Sequence, residues 1–343
     1  MQGGKTAQPA LDAAAVKAKA MQLGFDLCGV AHARPVDPAR LDKWFSSGWH
    51  ASLSYVFDRR AERLDPSLLV PGARSVIVLA ASYGPGPDDP QPIPGELIVA
   101  RYARGHDYHN VILKPARKLA AWLRSFGAQV YCEVDTGAVL EKYWAQEAGL
   151  GWIGKNGCLI HERLGSWLLL GALVTDFELQ PDSPHPERCG ECALCIPACP
   201  TQAIPEPRYV DARKCLAFHT IEHRNEIPRE LAEKAGNRLF GCDACQDVCP
   251  WNRRAPQGQL VQLRARTPSL AVADVLSLTH DEARRRFEGT PLLRAGRDGL
   301  VRTALAVTEQ PPEVLARFAN DEAPGVRAQA QARLAHSGPS AMI

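Results

Sequence analysis

Eight of the chain's eleven cysteines fall within the sixty-one residues from Cys189 to Cys249. They stand at Cys189, Cys192, Cys195, Cys199, Cys215, Cys242, Cys245 and Cys249, in a CxxCxxCxxxCP run ending at Pro200 and a CxxCxxxCP run ending at Pro250. Three thiolates this close wrap one iron-sulfur cube, and in two-cluster ferredoxins the fourth cysteine of such a run ligates the other cube. The second run lacks its first cysteine, and Cys215 is the spare. The pattern therefore predicts one 4Fe-4S cluster on Cys189, Cys192, Cys195 and Cys249, and a second on Cys199, Cys215, Cys242 and Cys245. CxxC pairs also hold structural zinc, and an even number of cysteines also suits disulfides. A zinc site leaves the longer run unexplained, and disulfide frameworks belong to short secreted chains. The expectation is a protein that moves electrons.

At 343 residues, 45% apolar and 23% charged, the chain has room for two or three domains with their own cores. Its first residues show neither a signal-peptide core nor a twin-arginine pair. Leu164 to Val174, the longest apolar stretch, contains Gly165, Ser166 and Gly171 and is too short to cross a bilayer. A cytoplasmic protein without membrane contact is expected. The net charge of +2 is unevenly spread: residues 251–343 hold 13 Arg, no Lys and 9 acids, a balance of +4, against −2 for the rest. Arg253, Arg254, Arg264, Arg266 and the run Arg284, Arg285, Arg286 suit a polyanion, because guanidinium forks match phosphate geometry. A solvated helix face is the competing explanation.

Apolar periodicity predicts a helix over 11–23 stopping at Gly24, a strand over 25–31, a helix over 38–47 and a buried strand over 75–82. An exposed Pro/Gly/Asp loop spans 84–95. A helix over 108–126, a strand over 129–134, a helix over 139–148, a glycine-rich turn over 149–157 and a strand over 166–177 follow. Helix and strand alternate, so residues 1–178 read as one α/β domain, with Asp135 at a strand's carboxyl end, where ligands gather in open α/β sheets. A proline-rich linker near 180–186 leads into a cluster module, residues 179–255. Strand signals then vanish, and 299–308 and 324–335 share a glycine, a valine and an arginine followed by an alanine-rich helical pattern of HEAT type, giving a helical region over 256–343.

Five segments carry a resemblance: Glu62 to Val78 (ERLDPSLLVPGARSVIV), Arg101 to His109 (RYARGHDYH), Val134 to Gly137 (VDTG), Gly151 to Ile160 (GWIGKNGCLI) and Gly241 to Asn252 (GCDACQDVCPWN). In this order, joined to the cluster motifs, they resemble the epoxyqueuosine reductases over nearly the whole chain. The resemblance implies the last step of queuosine synthesis, removal of an epoxide oxygen from a modified guanosine at the wobble position of tRNA. It implies an α/β domain of nitroreductase-like, reductive-dehalogenase-like kind that cradles cobalamin, a bacterial ferredoxin-like two-cluster module, and a HEAT-like helical region. Asp135 is the implied proton donor, with its pKa raised by burial under the corrin. Arg63, Ala100, Asp135, Lys155, Asn156, Leu159 and Asp243 are the implied cobalamin contacts. For the tRNA anticodon loop, the expected contacts are Arg253, Arg254, Arg284, Arg285, Arg286 and Arg302, although Thr303 stands where the family has asparagine. An external low-potential electron donor and a monomeric state are also expected. The DxHxxG signature of base-off cobalamin domains is absent, so His106 and His109 read as ordinary surface or pocket histidines, and Cys28, Cys132 and Cys158 as buried structural thiols. A soluble corrinoid dehalogenase and an electron-transfer subunit share the cluster motifs and are the alternatives.

Overall fold

Strands Leu27–His32, Ser75–Ser82, Leu168–Thr175 and Val130–Glu133 pair side by side in that order, every pairing antiparallel. The computed structural model that shows this describes residues 11–336. Ser75–Ser82 is buried along its whole length because helices cover both sheet faces. Ile77, Leu79 and Ala81 point one way, against Val16 and Ala20 of helix Ala13–Gln22 and Ile112, Leu119 and Leu123 of helix Tyr108–Arg124. Val76, Val78 and Ala80 point the other way, against Trp144 and Ala145 of helix Glu141–Glu147. The expected alternation of helix and strand is present, but the direction of the strands corrects the α/β reading to a layered α+β one. Alternation in sequence does not set strand direction: Leu168–Thr175 inserts between strands that precede it in the chain. Strand carboxyl ends therefore fall on both edges of the sheet, and the end-of-strand rule for ligands in parallel sheets does not locate the site.

Helix Tyr108–Arg124 buries Ile112, Ala116, Leu119, Ala120 and Leu123, spaced by one to four residues along a single stripe. Its first turn is fixed by Asp107, whose carboxylate accepts the His109 N–H at 3.0 Å.

A second sheet joins distant parts of the chain. Leu97–Val99 runs parallel to Arg238–Phe240 on one side and antiparallel to Ser269–Leu270 on the other. The apolar core below it combines Leu97, Val99, Leu239, Phe240, Leu270, Val275 and Leu300. This sheet draws one strand from each of the three sequence segments, and it brings residues 97–104 beside 238–245.

Beyond Leu270 the described elements are helical. Gly296–Val307 packs on Pro324–His336 through Val301, Leu305, Val326 and Ala330. Arg302 lies inside this packing with 1% exposure, which corrects its expected place on the tRNA-facing surface. Its guanidinium donates to the carbonyls of His219, His223 and Asn225, and burial pushes its pKa down to about 10. Arg302 ties the helical region to the segment after Cys215. Among the described residues no helix is long and apolar enough to cross a membrane.

Candidate active site and cysteine quartets

The eight cysteines sort spatially into two foursomes. Cys189, Cys192, Cys195 and Cys249 line one cavity, together with Lys155, Leu194 and Trp251. Burial and the neighbouring Cys189, Cys249 and Cys192 push the Cys195 thiol up to about 11. Cys215 is likewise pushed up to about 11, by burial first, with Cys242 and Cys199 beside it, and Cys245 adjoins Cys242 and Cys215. These are the same groups of four that the spacing pairs up. Among the described residues no three His, Cys, Asp or Glu side chains converge closely enough to hold a single metal ion.

The first quartet is the outer one: Cys192 is exposed, and Leu194 beside it is 48% exposed. In the second, inner quartet no cysteine is exposed, and Cys242 packs against the apolar group of Leu216, Ile227 and Leu231. N–H groups reach sulfur in both, Trp152 Nε1 to Cys189 Sγ at 3.4 Å and the Ala203 amide to Cys199 Sγ at 3.2 Å.

Asp135 follows the sheet-edge strand Val130–Glu133 on a turn built around a buried carboxylate. Glu133 accepts the N–H groups of Ala138 and Val139 at 2.7 and 2.6 Å and the Tyr131 hydroxyl at 2.6 Å. A side chain at Gly137 would overlap the Glu133 carboxylate, its Cβ falling 1.2 Å from Oε2, so only glycine allows this wrap. Asp135 itself has φ of +61°, a left-handed conformation that costs a non-glycine residue energy. The turn presents its carboxylate to helix Tyr108–Arg124: Oδ2 accepts the Tyr108 hydroxyl at 2.7 Å and meets His109 Nε2 at 3.2 Å. On the far side of the ring, His109 Nδ1 lies 2.8 Å from Asp107.

The electrostatics follow from these contacts. Partial enclosure pushes up the carboxyl of Asp135, whose side chain is 53% exposed, but the hydrogen bonds from His109 and Tyr108 outweigh it and hold the group below the usual carboxylate range. This corrects the expectation of a raised pKa. His109 carries the compensating shift, raised to about 9 by its bonds to Asp107 and Asp135. Glu141, which accepts the Asp135 backbone N–H at 2.8 Å, is pushed up to about 8 by burial.

Tyr102 connects this corner to the inner quartet. Burial keeps its phenol neutral, and the charges of Asp135 and Asp243 push it further in that direction. Asp243, between Cys242 and Cys245, accepts the Arg101 N–H at 2.7 Å and is raised by burial. Ala100 lies against Gly241, where an added Cβ would come within 2.5 Å of it. Tyr55, 49% exposed, feels the charges of both Asp135 and Arg63. Arg63, Ala100, Asp135 and Asp243 thus surround one region. Asn156 reaches the Cys245 carbonyl at 3.4 Å, and Leu159 is buried in the sheet core. Lys155 is placed elsewhere: its ammonium donates to the Gly190 carbonyl at 2.7 Å, at the outer quartet.

Residues 188–252 match the model of the 4Fe-4S double cluster binding domain, and residues 63–136 that of epoxyqueuosine reductase QueG, DUF1730. An epoxyqueuosine reductase of Gloeobacter violaceus is 41% identical over 304 residues, covering 85% of this chain and 94% of that protein. The chain belongs to the epoxyqueuosine reductase family. A Cellulophaga algicola epoxyqueuosine reductase is 39% identical over 295 residues, 84% of this chain and 95% of its own. Among solved structures, an epoxyqueuosine reductase with an epoxyqueuosine-modified tRNA stem loop superposes with a TM-score of 0.87, at 26% identity, over 95% of this chain and 90% of that one. A Bacillus subtilis epoxyqueuosine reductase with its catalytic aspartate loop swung out of the active site superposes with a TM-score of 0.83, at 26% identity and the same coverage. The enzyme is an oxidoreductase that carries a double-cluster domain.

Three neighbours of the site carry more than their sequence pattern indicates: His109 reads there as an ordinary surface or pocket histidine, Cys158 as a buried structural thiol, and Tyr108 is given no role. His109 and Tyr108 sit in the first turn after the Asp107 cap, where consecutive side chains project toward the preceding loop, so an Asp-Tyr-His at a helix start was the available signal. Cys158 lies within hydrogen-bond reach of Cys245 in the inner quartet, a neighbour that spacing alone does not reveal. Cys28 and Cys132 are pushed up to about 12 and about 11 by burial, as inert thiols are.

Proposed function

We propose that the enzyme reduces epoxyqueuosine to queuosine at the wobble position of a tRNA anticodon loop, in the cytoplasm, as a monomer served by an external low-potential electron donor. The observation that supports this best is the hydrogen-bonded Asp135, next to His109 and Tyr108, with Tyr102 between it and Asp243, which stands between two cysteines of the inner quartet. Converting an epoxide to an alkene takes two electrons and two protons and releases water, so a proton source must adjoin the end of an electron path. The two quartets would hold 4Fe-4S clusters, Cys189, Cys192, Cys195 and Cys249 ligating one and Cys199, Cys215, Cys242 and Cys245 the other. The outer quartet takes up electrons at the surface, and the inner one passes them toward Asp243 and Asp135.

Cobalamin fits the residues around Asp135. The Nε atoms of Arg63 and Arg101 are buried with no partner among the described residues, and an acceptor-rich cofactor would satisfy them. Arg63, Asp243, Asn156 and the backbone of Ala100 and Leu159 would hold it, and bound there it supplies a strongly reducing metal centre. The protein's own part is protonation. His109, charged at neutral pH between two carboxylates, would pass its Nε2 proton to the ionised Asp135 at Oδ2, and Asp135 would hand that proton on to the departing oxygen. Asp135 can therefore act as the acid while resting ionised. The paired helices Gly296–Val307 and Pro324–His336 stack in HEAT fashion, and Arg253, Arg254, Arg284, Arg285 and Arg286 face the tRNA.

Asp135→Asn tests the reading. Turnover of epoxyqueuosine-containing tRNA is expected to fall by about 10²- to 10⁴-fold, with the iron-sulfur and corrinoid absorbance unchanged. Undiminished turnover would remove Asp135 from the chemistry.

A further inference from the structure

The Tyr108–Arg124 helix places four cations, Lys114, Arg117, Lys118 and Arg124, on its exposed side and contains no acid. No described residue forms an ion pair with Lys114, Arg117 or Lys118. Other surface arginines are paired, as Arg60 is with Asp42 and Arg294 with Glu222. Asn110, Leu113, Lys114, Arg117, Lys118 and Ala121 line an open trough of about 470 Å³. The arginine run predicted for tRNA is different. Between residues 274 and 288, Arg284, Arg285 and Arg286 share their surroundings with Asp274, Asp281, Glu282 and Glu288, and Arg286 pairs with Asp274 at 2.9 Å. Unpaired cations that repel one another are a standing cost unless a polyanion neutralises them.

The position of the trough selects the polyanion. The same helix begins with Tyr108 and His109, the residues that hold Asp135. A nucleotide delivered to Asp135 carries its flanking backbone with it, and from Lys114 to Arg124 the helix runs about 15 Å at about 1.5 Å per residue. We propose that this face binds the RNA backbone next to the modified nucleotide, with Lys114, Arg117 and Lys118 meeting successive phosphates. The inference rests on the tRNA reading above and adds a surface to it. An acidic redox protein is the other polyanion, but the helix packs on the Val130–Glu133 and Leu168–Thr175 strands and on Ala13–Gln22, and no quartet cysteine lines the trough.

The test uses the full chain with its clusters and an unmodified anticodon stem-loop RNA. Binding is measured over a series of salt concentrations for the unaltered protein and for the K114A/R117A/K118A variant. The slope of log K against log salt should flatten by about 2 to 3, since each phosphate contact contributes about 0.7 to 0.9. An unchanged slope overturns the proposal. So does an intact slope combined with slower reduction by an acidic electron-donor protein, which would assign the face to that donor. If the unaltered protein binds no stem-loop, the tRNA reading itself fails, a separate result. Should the triple variant lose its clusters, R117A alone decides, with an expected flattening of about 0.7 to 0.9.

Discussion

The outer and inner cysteine quartets use the same residue type and similar spacings, yet they sit in opposite surroundings. The outer one holds the exposed Cys192 and is fronted by the half-exposed Leu194. Cys242 and Cys245 of the inner one flank Asp243, Cys245 touches Cys158, and Tyr102 feels the charges of both Asp243 and Asp135. Burial and hydrogen bonds to sulfur both set cluster potentials. On the proposed reading, this difference sets the direction: electrons would come in where a partner can approach and go out where Asp135 stands.

Removing a ligand from each quartet gives the largest expected contrast. Cys245→Ala should reduce turnover to background with any reductant, because the inner quartet adjoins the site. Cys192→Ala should stop turnover driven by a protein electron donor but leave activity with a small, strongly reducing dye that bypasses the surface. Turnover assays with both reductants check this, alongside iron content and absorbance. Failure of the dye to rescue Cys192→Ala, with the inner cluster intact, would break the proposed order.

The quartets should also differ in their response to pH. His109 is raised from 6.5 to about 9, so its proton and its contribution to stability are fully present below 6.5 and are lost as pH rises through about 9. Turnover should therefore decline through about pH 9, while reduction of the outer quartet stays level across the same range. His109→Gln removes the positive charge that holds Asp135 ionised, and partial enclosure then lifts the Asp135 carboxyl. That variant should lose roughly tenfold in turnover, at the lower end of general-acid effects or below, and its alkaline decline should begin at lower pH. A pH-rate profile that does not move would show that His109 only supports the fold.

Much of the fold was legible because its signals are local. Ser75–Ser82 reads as a continuous apolar run since both its faces are covered, and Tyr108–Arg124 reads as a helix from its buried stripe and the glycine that follows. Strand direction was not legible, because it depends on which distant strand inserts between two others. The cysteine foursomes were legible because cube geometry restricts spacing. Arg302 misled: charge normally marks surface, and only the carbonyls of His219, His223 and Asn225, about eighty residues earlier, make its burial possible. Asp135 was found through resemblance, whereas its ionisation depends on His109, which lies 26 residues away and is brought near by the turn around Glu133. Contacts between distant segments, rather than composition, carried what was missed.

The smallest expected effect concerns a single hydrogen bond. Trp152 is fully buried, stacks edge-on to Trp251 at 5.0 Å between ring centres, and donates to Cys189 Sγ at 3.4 Å. An N–H donor stabilises the more negative, reduced cluster, so Trp152→Phe should make the outer quartet harder to reduce while conserving most of the packing. A net hydrogen bond contributes about 1 kcal/mol, which for one electron is on the order of 40 mV. A redox titration followed by electron paramagnetic resonance should show the outer potential falling by about that much and the inner one unmoved, because the inner sulfur Cys199 takes its N–H from Ala203 instead. Equal shifts in both would mean that the substitution acts through the shared fold, and the separation of the two quartets would then be weaker than their surroundings suggest.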